Sequence, residues 1–302
     1  MKKNTYSFLD GEDYFDDSHW FEEDGLLWDN EEDEDEEPLG EIDLPDFLGN
    51  NNIQDLINMY LIRSVSGKED NLRDYVAHAL ILNNIPFLED EEGNIYRLSD
   101  NRPILSAHLD QVDTRKRLTT VSISGGSIIG DANLGADDKN GVWIVLNLVI
   151  ADKGRTLNFI FSTGEEIGGI GARFLASKRA KTLKTCPYCL VFDRKGNGDI
   201  IGVENYYCSQ DLQADCANIG LEYGYTPTNG VWSDADTFRD HVACVNLSCG
   251  YQSAHTDQEH TSIAGIKNAL AYGQALINGL QANKKYKIAG ASAINDKWRW
   301  TK

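Results

Sequence analysis

LNFIFSTGEEIGGIGA, residues 157–172, holds three signals in one stretch. The run LNFIFS is short and nearly continuously apolar, the pattern of a central strand buried on both faces. Glycines and the acids Glu165 and Glu166 follow, and then a helix is predicted over 171–181. Three other runs share the strand character: ILSA at 104–107, CLVF at 189–192 and VACVNLS at 242–248. Further strands are predicted at 85–88, 95–98, 121–129 and 199–203. Helices are predicted at 53–62, 71–83, 140–151, 208–221 and 262–282. Ser66 with Glu69 three residues on has the form of a capping box opening the second helix. This order predicts an α/β fold with a mixed, mostly parallel central sheet, flanked by helices on both faces, in one catalytic domain.

Five polar clusters stand just after such strands or at the start of the following helix. They are Ser106-Ala-His108-Leu-Asp110, Leu134-Gly-Ala-Asp137-Asp138-Lys-Asn-Gly141, Ser162-Thr-Gly-Glu165-Glu166-Ile-Gly168, Phe192-Asp193-Arg-Lys-Gly196 and Ala254-His255-Thr-Asp-Gln-Glu259. Ligands of open α/β sheets bind beyond the carboxyl ends of the strands, so the five clusters are expected to converge there. Isolated buried carboxylates are costly unless paired or bound to metal. Two imidazoles with several carboxylates and no cysteine suit two divalent ions, Zn²⁺ or its neighbours Mn²⁺ and Co²⁺.

In this order and with these flanks, the motifs resemble the co-catalytic di-zinc aminopeptidase and carboxypeptidase clan. GADDKNG followed by GEEIGGIGA is similar to tripeptidase and glutamyl aminopeptidase types. The resemblance covers residues 52–282 and implies a zinc-aminopeptidase-like fold. It implies that His108 and Asp193 hold one metal, Glu166 and His255 the other, and that Asp137 bridges them. It makes Glu165 the general base and Asp110 the partner that orients His108. Ser233-Asp234-Ala235 resembles the Thr-Asp-Ala element before the last ligand strand. The implied reaction is amide-bond hydrolysis by a metal-bridging hydroxide, releasing N-terminal amino acids from peptides. The alternatives are a carboxypeptidase or N-deacylase of the same clan, or a non-catalytic interaction protein. Some members insert a lid domain between the first histidine and the bridging aspartate, others before the last histidine. Here those gaps are 29 and 62 residues, too short for a lid. The spacing thus resembles the lidless aminopeptidases.

Other candidates rank lower. His260 competes with His255 for the second metal but is placed at a helix start. His78 and His241 receive no metal role, and Tyr251 is a weak candidate for the substrate pocket. Cys186-Pro-Tyr-Cys189 precedes a strand, whereas a redox dithiol opens a helix after one.

The chain has 302 residues and a net charge of −20, unevenly placed. Residues 1–50 hold nineteen acids and two lysines, a net of −17. Three parts are expected: an acidic leader at 1–47, the catalytic domain at 48–283 and a basic extension at 284–302. Seven consecutive acids at 31–37 favour a solvated leader. Its interleaved aromatics also suit docking on a basic protein surface or on the chain's own basic tail. The charge argues against nucleic acid as a partner, which needs clustered cations. No run is long and apolar enough for a membrane span, and no apolar segment follows the first two lysines. Those features and the cysteine usage give a cytoplasmic expectation.

Overall fold

The computed structural model describes residues 47–281 and 284–289. Helices α1 (Ile53–Leu61) and α2 (Asp70–Leu82) lead into strands β1 (Leu88–Glu89), β2 (Ile95–Arg97) and β3 (Ile104–His108). Strands β4 (Val121–Ser124) and β5 (Ser127–Gly130) precede α3 (Ala136–Asp152). Then come β6 (Asn158–Ser162), α4 (Ile170–Leu183), β7 (Cys189–Arg194), β8 (Asp199–Ile201), α5 (Gln210–Gly220) and β9 (Thr226–Thr228). The described part closes with α6 (Asp234–Phe238), β10 (Cys244–Ser248), β11 (Tyr251–Gln252), β12 (His260–Ser262) and α7 (Ile263–Gly279).

Eight strands form one mixed sheet in the order β1-β2-β6-β3-β7-β10-β8-β9. The four at its centre, β6, β3, β7 and β10, are mutually parallel, and antiparallel β2 and β8 flank them. Side-chain alternation splits the apolar runs between the two faces. Leu105, Phe159, Phe161, Leu190, Phe192 and Val245 join a core with residues of α1, α2, α3 and α7. Ile104, Ile160, Cys189, Val191 and Cys244 join a second core with Leu175 of α4 and Phe238 of α6. Burial on both faces is why these runs show no polar alternation. An added Cβ at Gly141 would stand 2.0 Å from the carbonyl of Phe192, so glycine is what allows α3 its close approach to β7.

Several expectations are revised. The predicted strand at 121–129 is a hairpin, broken by Gly125 and Gly126 with φ of +57° and +80°. Two residues with positive φ make the tight turn whose twist suits a hairpin. It pairs with β12 in a separate antiparallel sheet, ordered β11-β12-β5-β4. His260 therefore starts a strand and not a helix. The capping box does not form, since α2 has no side-chain cap. The core also runs past both expected domain limits. Phe47 packs edge-on against Tyr75, and buried Tyr286 packs against Tyr188. The leader up to residue 46, and the tail beyond 289, lie outside the described residues. All six cysteines are buried free thiols, and burial pushes Cys186 up to about 11. No helix among the described residues is long and apolar enough to cross a membrane.

Candidate active site

Three elements bring the candidate residues to the carboxyl edge of the parallel strands. His108 ends β3, in register with Ser162 at the end of β6. The loop after Ser162 carries Glu165 and Glu166, and Asp193 lies one residue from the end of β7. Asp137 sits at the head of α3 with non-helical backbone (φ −83°, ψ 97°), and the Asp137–Asp138 peptide is cis. His255 arrives on the β11–β12 loop in the left-handed region, φ +63°.

The side chains meet closely. His108 Nε2 lies 3.3 Å from Asp137 Oδ1, 3.6 Å from Asp193 Oδ1 and 3.9 Å from Glu165 Oε2. His255 Nε2 lies 2.8 Å from Glu166 Oε1 and 3.3 Å from Asp137 Oδ2. Asp137 thus turns one oxygen to each imidazole. Two groups of potential metal ligands result, His108/Asp137/Asp193 and Asp137/Glu166/His255, sharing Asp137. His108 Nδ1 faces both the carbonyl and the carboxylate of Asp110, at 3.0 and 3.2 Å. A proton on Nδ1 leaves the Nε2 lone pair aimed at the cluster, and Nε2 is buried without a hydrogen bond. An orphaned imidazole nitrogen among carboxylate oxygens fits a divalent ion.

The electrostatics follow from this crowding. Burial, with the nearby Asp193, Asp234 and Glu166, pushes Glu165 above the usual carboxylate range. Asp193 is raised by burial and by Asp137 and Asp234. Burial would also raise Asp137, but contacts with both imidazoles hold it low. Burial opposes charge on His108, yet Glu165, Asp110, Asp137 and Asp193 together push its pKa well up. His255 rises to about 10 through its bonds to Asp137 and Glu166.

A further layer holds these groups, and much of it escaped the sequence reading. Asp110 accepts the backbone N–H of Glu165 and Glu166 at 2.9 and 3.0 Å, and the Ser66 hydroxyl at 2.7 Å. Glu69 accepts the N–H of Gly164 at 3.2 Å. Both residues of the supposed capping box thus brace the site. Asp138 accepts the N–H groups of His108 and Gly141. Asn246 exchanges hydrogen bonds with the backbone of Asp193, both at 3.1 Å. Glu259 accepts the N–H of Ala136 at 2.9 Å and of Asp137 at 3.3 Å, tying the His255 loop to the head of α3. Asp234 takes the Ser162 hydroxyl on one oxygen and leaves Oδ1 buried and unpartnered. The available signal was proximity in sequence: Asp138 and Glu259 belong to the quoted motifs. Nothing local marks Ser66, Glu69 or Asn246.

His260 is not in either ligand group; its Nδ1 faces the carbonyl of Gln258 at 3.1 Å. His241 lies in the turn before β10, away from the cluster. Tyr251 is buried and lines the cleft over the site, a space of about 650 Å³ also walled by Ile201, Val231 and Trp232.

Comparison with solved structures places the chain beside aminopeptidase PepT from Bacillus cereus (TM-score 0.64, 16% identity), covering 75% of this chain and 97% of that one. A tripeptidase from Staphylococcus aureus gives a TM-score of 0.57 at 17% identity, covering 75% and 98%. An aminopeptidase from the archaeon Desulfurococcus kamchatkensis gives 0.60 at 14%, covering 76% and 95%. These likenesses show the fold. No curated protein matches the sequence. The model of peptidase family M28 matches residues 92–247, just over half of the chain, a span with His108, Asp137, Glu165, Glu166 and Asp193 inside it. The chain belongs to peptidase family M28 and is a peptide hydrolase.

Proposed function

We propose that the chain is a di-metal aminopeptidase, with Zn²⁺ as its metal. The observation that carries this is Asp137, whose two oxygens face His108 and His255 and join two ligand groups into one. His108 and Asp193 would hold one ion, Glu166 and His255 the other, with Asp137 between. When bound, the ions supply a Lewis acid for the scissile carbonyl and lower the pKa of the attacking water. Glu165 takes the proton of that water and returns it to the leaving amine. Asp110 keeps the proton of His108 on Nδ1, so that Nε2 remains a ligand. Asn246 and Glu259 hold the backbones of Asp193 and Asp137.

Release from the amino end is favoured by the charge around the cluster. A free α-ammonium beside Glu165 and Glu166 meets opposite charge, whereas a terminal carboxylate there would meet like charge. The aminopeptidases and the tripeptidase of similar fold agree with this reading. The test is metal analysis of purified protein alongside a panel of aminoacyl and N-acyl substrates. Two divalent ions per chain and turnover of unblocked substrates are expected. Ions at Cys186/Cys189 alone, or turnover of blocked substrates alone, would overturn it.

A further inference from the structure

We propose that the cleft selects substrates carrying a carboxylate about one residue from the scissile bond, and that Lys195 recognises it. The inference rests on the aminopeptidase reading and names its substrate class. The acids that line the cleft, Asp137, Glu165, Glu166 and Asp193, all belong to the metal cluster. The charged side chains left on its wall, besides His255, are the cations Arg194 and Lys195. Arg194 is already engaged, its Nε 2.9 Å from Asp199 Oδ2. Lys195 is exposed, and its ammonium has no hydrogen-bond or ion-pair partner among the described residues. The wall away from the metals therefore presents one uncompensated positive charge.

Position sets where the matching negative charge must be. Lys195 follows Asp193 by two residues, at most about 7 Å along the chain. That is the reach from the scissile carbonyl to the side-chain carboxylate of an acidic N-terminal residue. It is equally the reach to the terminal carboxylate of a dipeptide. Ile201, Val231 and Trp232 offer apolar surface to the stem of such a residue.

The test uses the metal-loaded full chain and reads kcat/KM ratios. Glutamyl against glutaminyl p-nitroanilide reports a side-chain carboxylate. Leucylglycine against leucylglycinamide reports a terminal one. In the wild type one of these ratios should reach about tenfold, the size of a charge-assisted hydrogen bond in a partly open site. Lys195→Ala should bring that ratio to about one, Lys195→Glu should invert it, and Lys195→Arg should restore it. Wild-type ratios both below about twofold, or a ratio unchanged in Lys195→Ala, would overturn the proposal. Turnover confined to N-acetylated peptides overturns the aminopeptidase reading alone, because the ratio between an N-acetylated dipeptide and its amide still tests Lys195. Turnover of no peptide at all overturns both.

Discussion

One oxygen of Asp110 accepts the backbone N–H of Glu165 at 2.9 Å and stands 3.2 Å from His108 Nδ1. A single buried carboxylate thereby sets both an imidazole and the loop that carries the proposed base. Its second oxygen is taken by the Glu166 N–H and the Ser66 hydroxyl.

Asp110→Asn should therefore disturb two things at once. The amide group turns a donor toward groups that are themselves donors. Metal affinity should fall by about 10–100-fold, as for other residues that hold a metal ligand. A chelator-competition titration reads this, and wild-type affinity would show that His108 is positioned by something else.

Glu165→Gln keeps shape and removes the proton acceptor. The metals should stay, while kcat falls by about 10²–10⁴-fold, the usual contribution of a positioned base. Metal content and kcat measured on the same preparation separate this from simple loss of the site.

His255→Ala should weaken metal binding, and His260→Ala should not. The pH dependence has a definite sign. His255 has a folded pKa of about 10, above its ordinary 6.5. In the metal-free protein its contribution to stability is thus complete below about pH 6.5 and is lost as pH rises through 10. A metal needs the neutral ring, so its affinity should rise with pH and its binding should release protons. Calorimetry in buffers of different ionisation enthalpy measures that release, which His255→Ala should reduce.

Glu259→Ala should be destabilising although Glu259 is assigned no metal. It strands the N–H groups of Ala136 and Asp137, at about 1–3 kcal/mol for a buried donor left unpaired. Nearby Lys139 is fully buried and lowered to about 7, and it loses a counter-charge as well. Glu259→Gln keeps an acceptor and should be milder. Denaturant unfolding of the two variants, with metal content, checks the order.

Deleting residues 1–46 removes the strongly acidic leader and should leave a folded, metal-loaded domain, because the core begins at Phe47. If the leader docks on the basic tail over the site, the truncated protein should turn over peptides faster, and salt should activate the full chain. Equal rates at low and high salt would show a leader without that contact.

The sheet was legible in residues 157–162 and their three companion runs, because a strand buried on both faces must be apolar without alternation. The metal cluster was legible too, because each candidate ligand directly follows such a strand or opens the next helix. His108, Asp137, Glu165, Glu166, Asp193 and His255 could be picked by chain position alone. What the chain order could not show is the support around them. Ser66 and Glu69 carry a helix-capping pattern, yet they spend their oxygens on Asp110 and Gly164, residues distant in sequence. Gly125 and Gly126 turn one apparent strand into a hairpin, which places His260 in a second sheet. Asn246 looks like an ordinary strand residue, and only pairing beside β7 brings it to Asp193. Local pattern determines which segments are buried and where chemistry can stand. The partner of each polar group is decided only when tertiary packing removes it from water and a buried donor must find an acceptor.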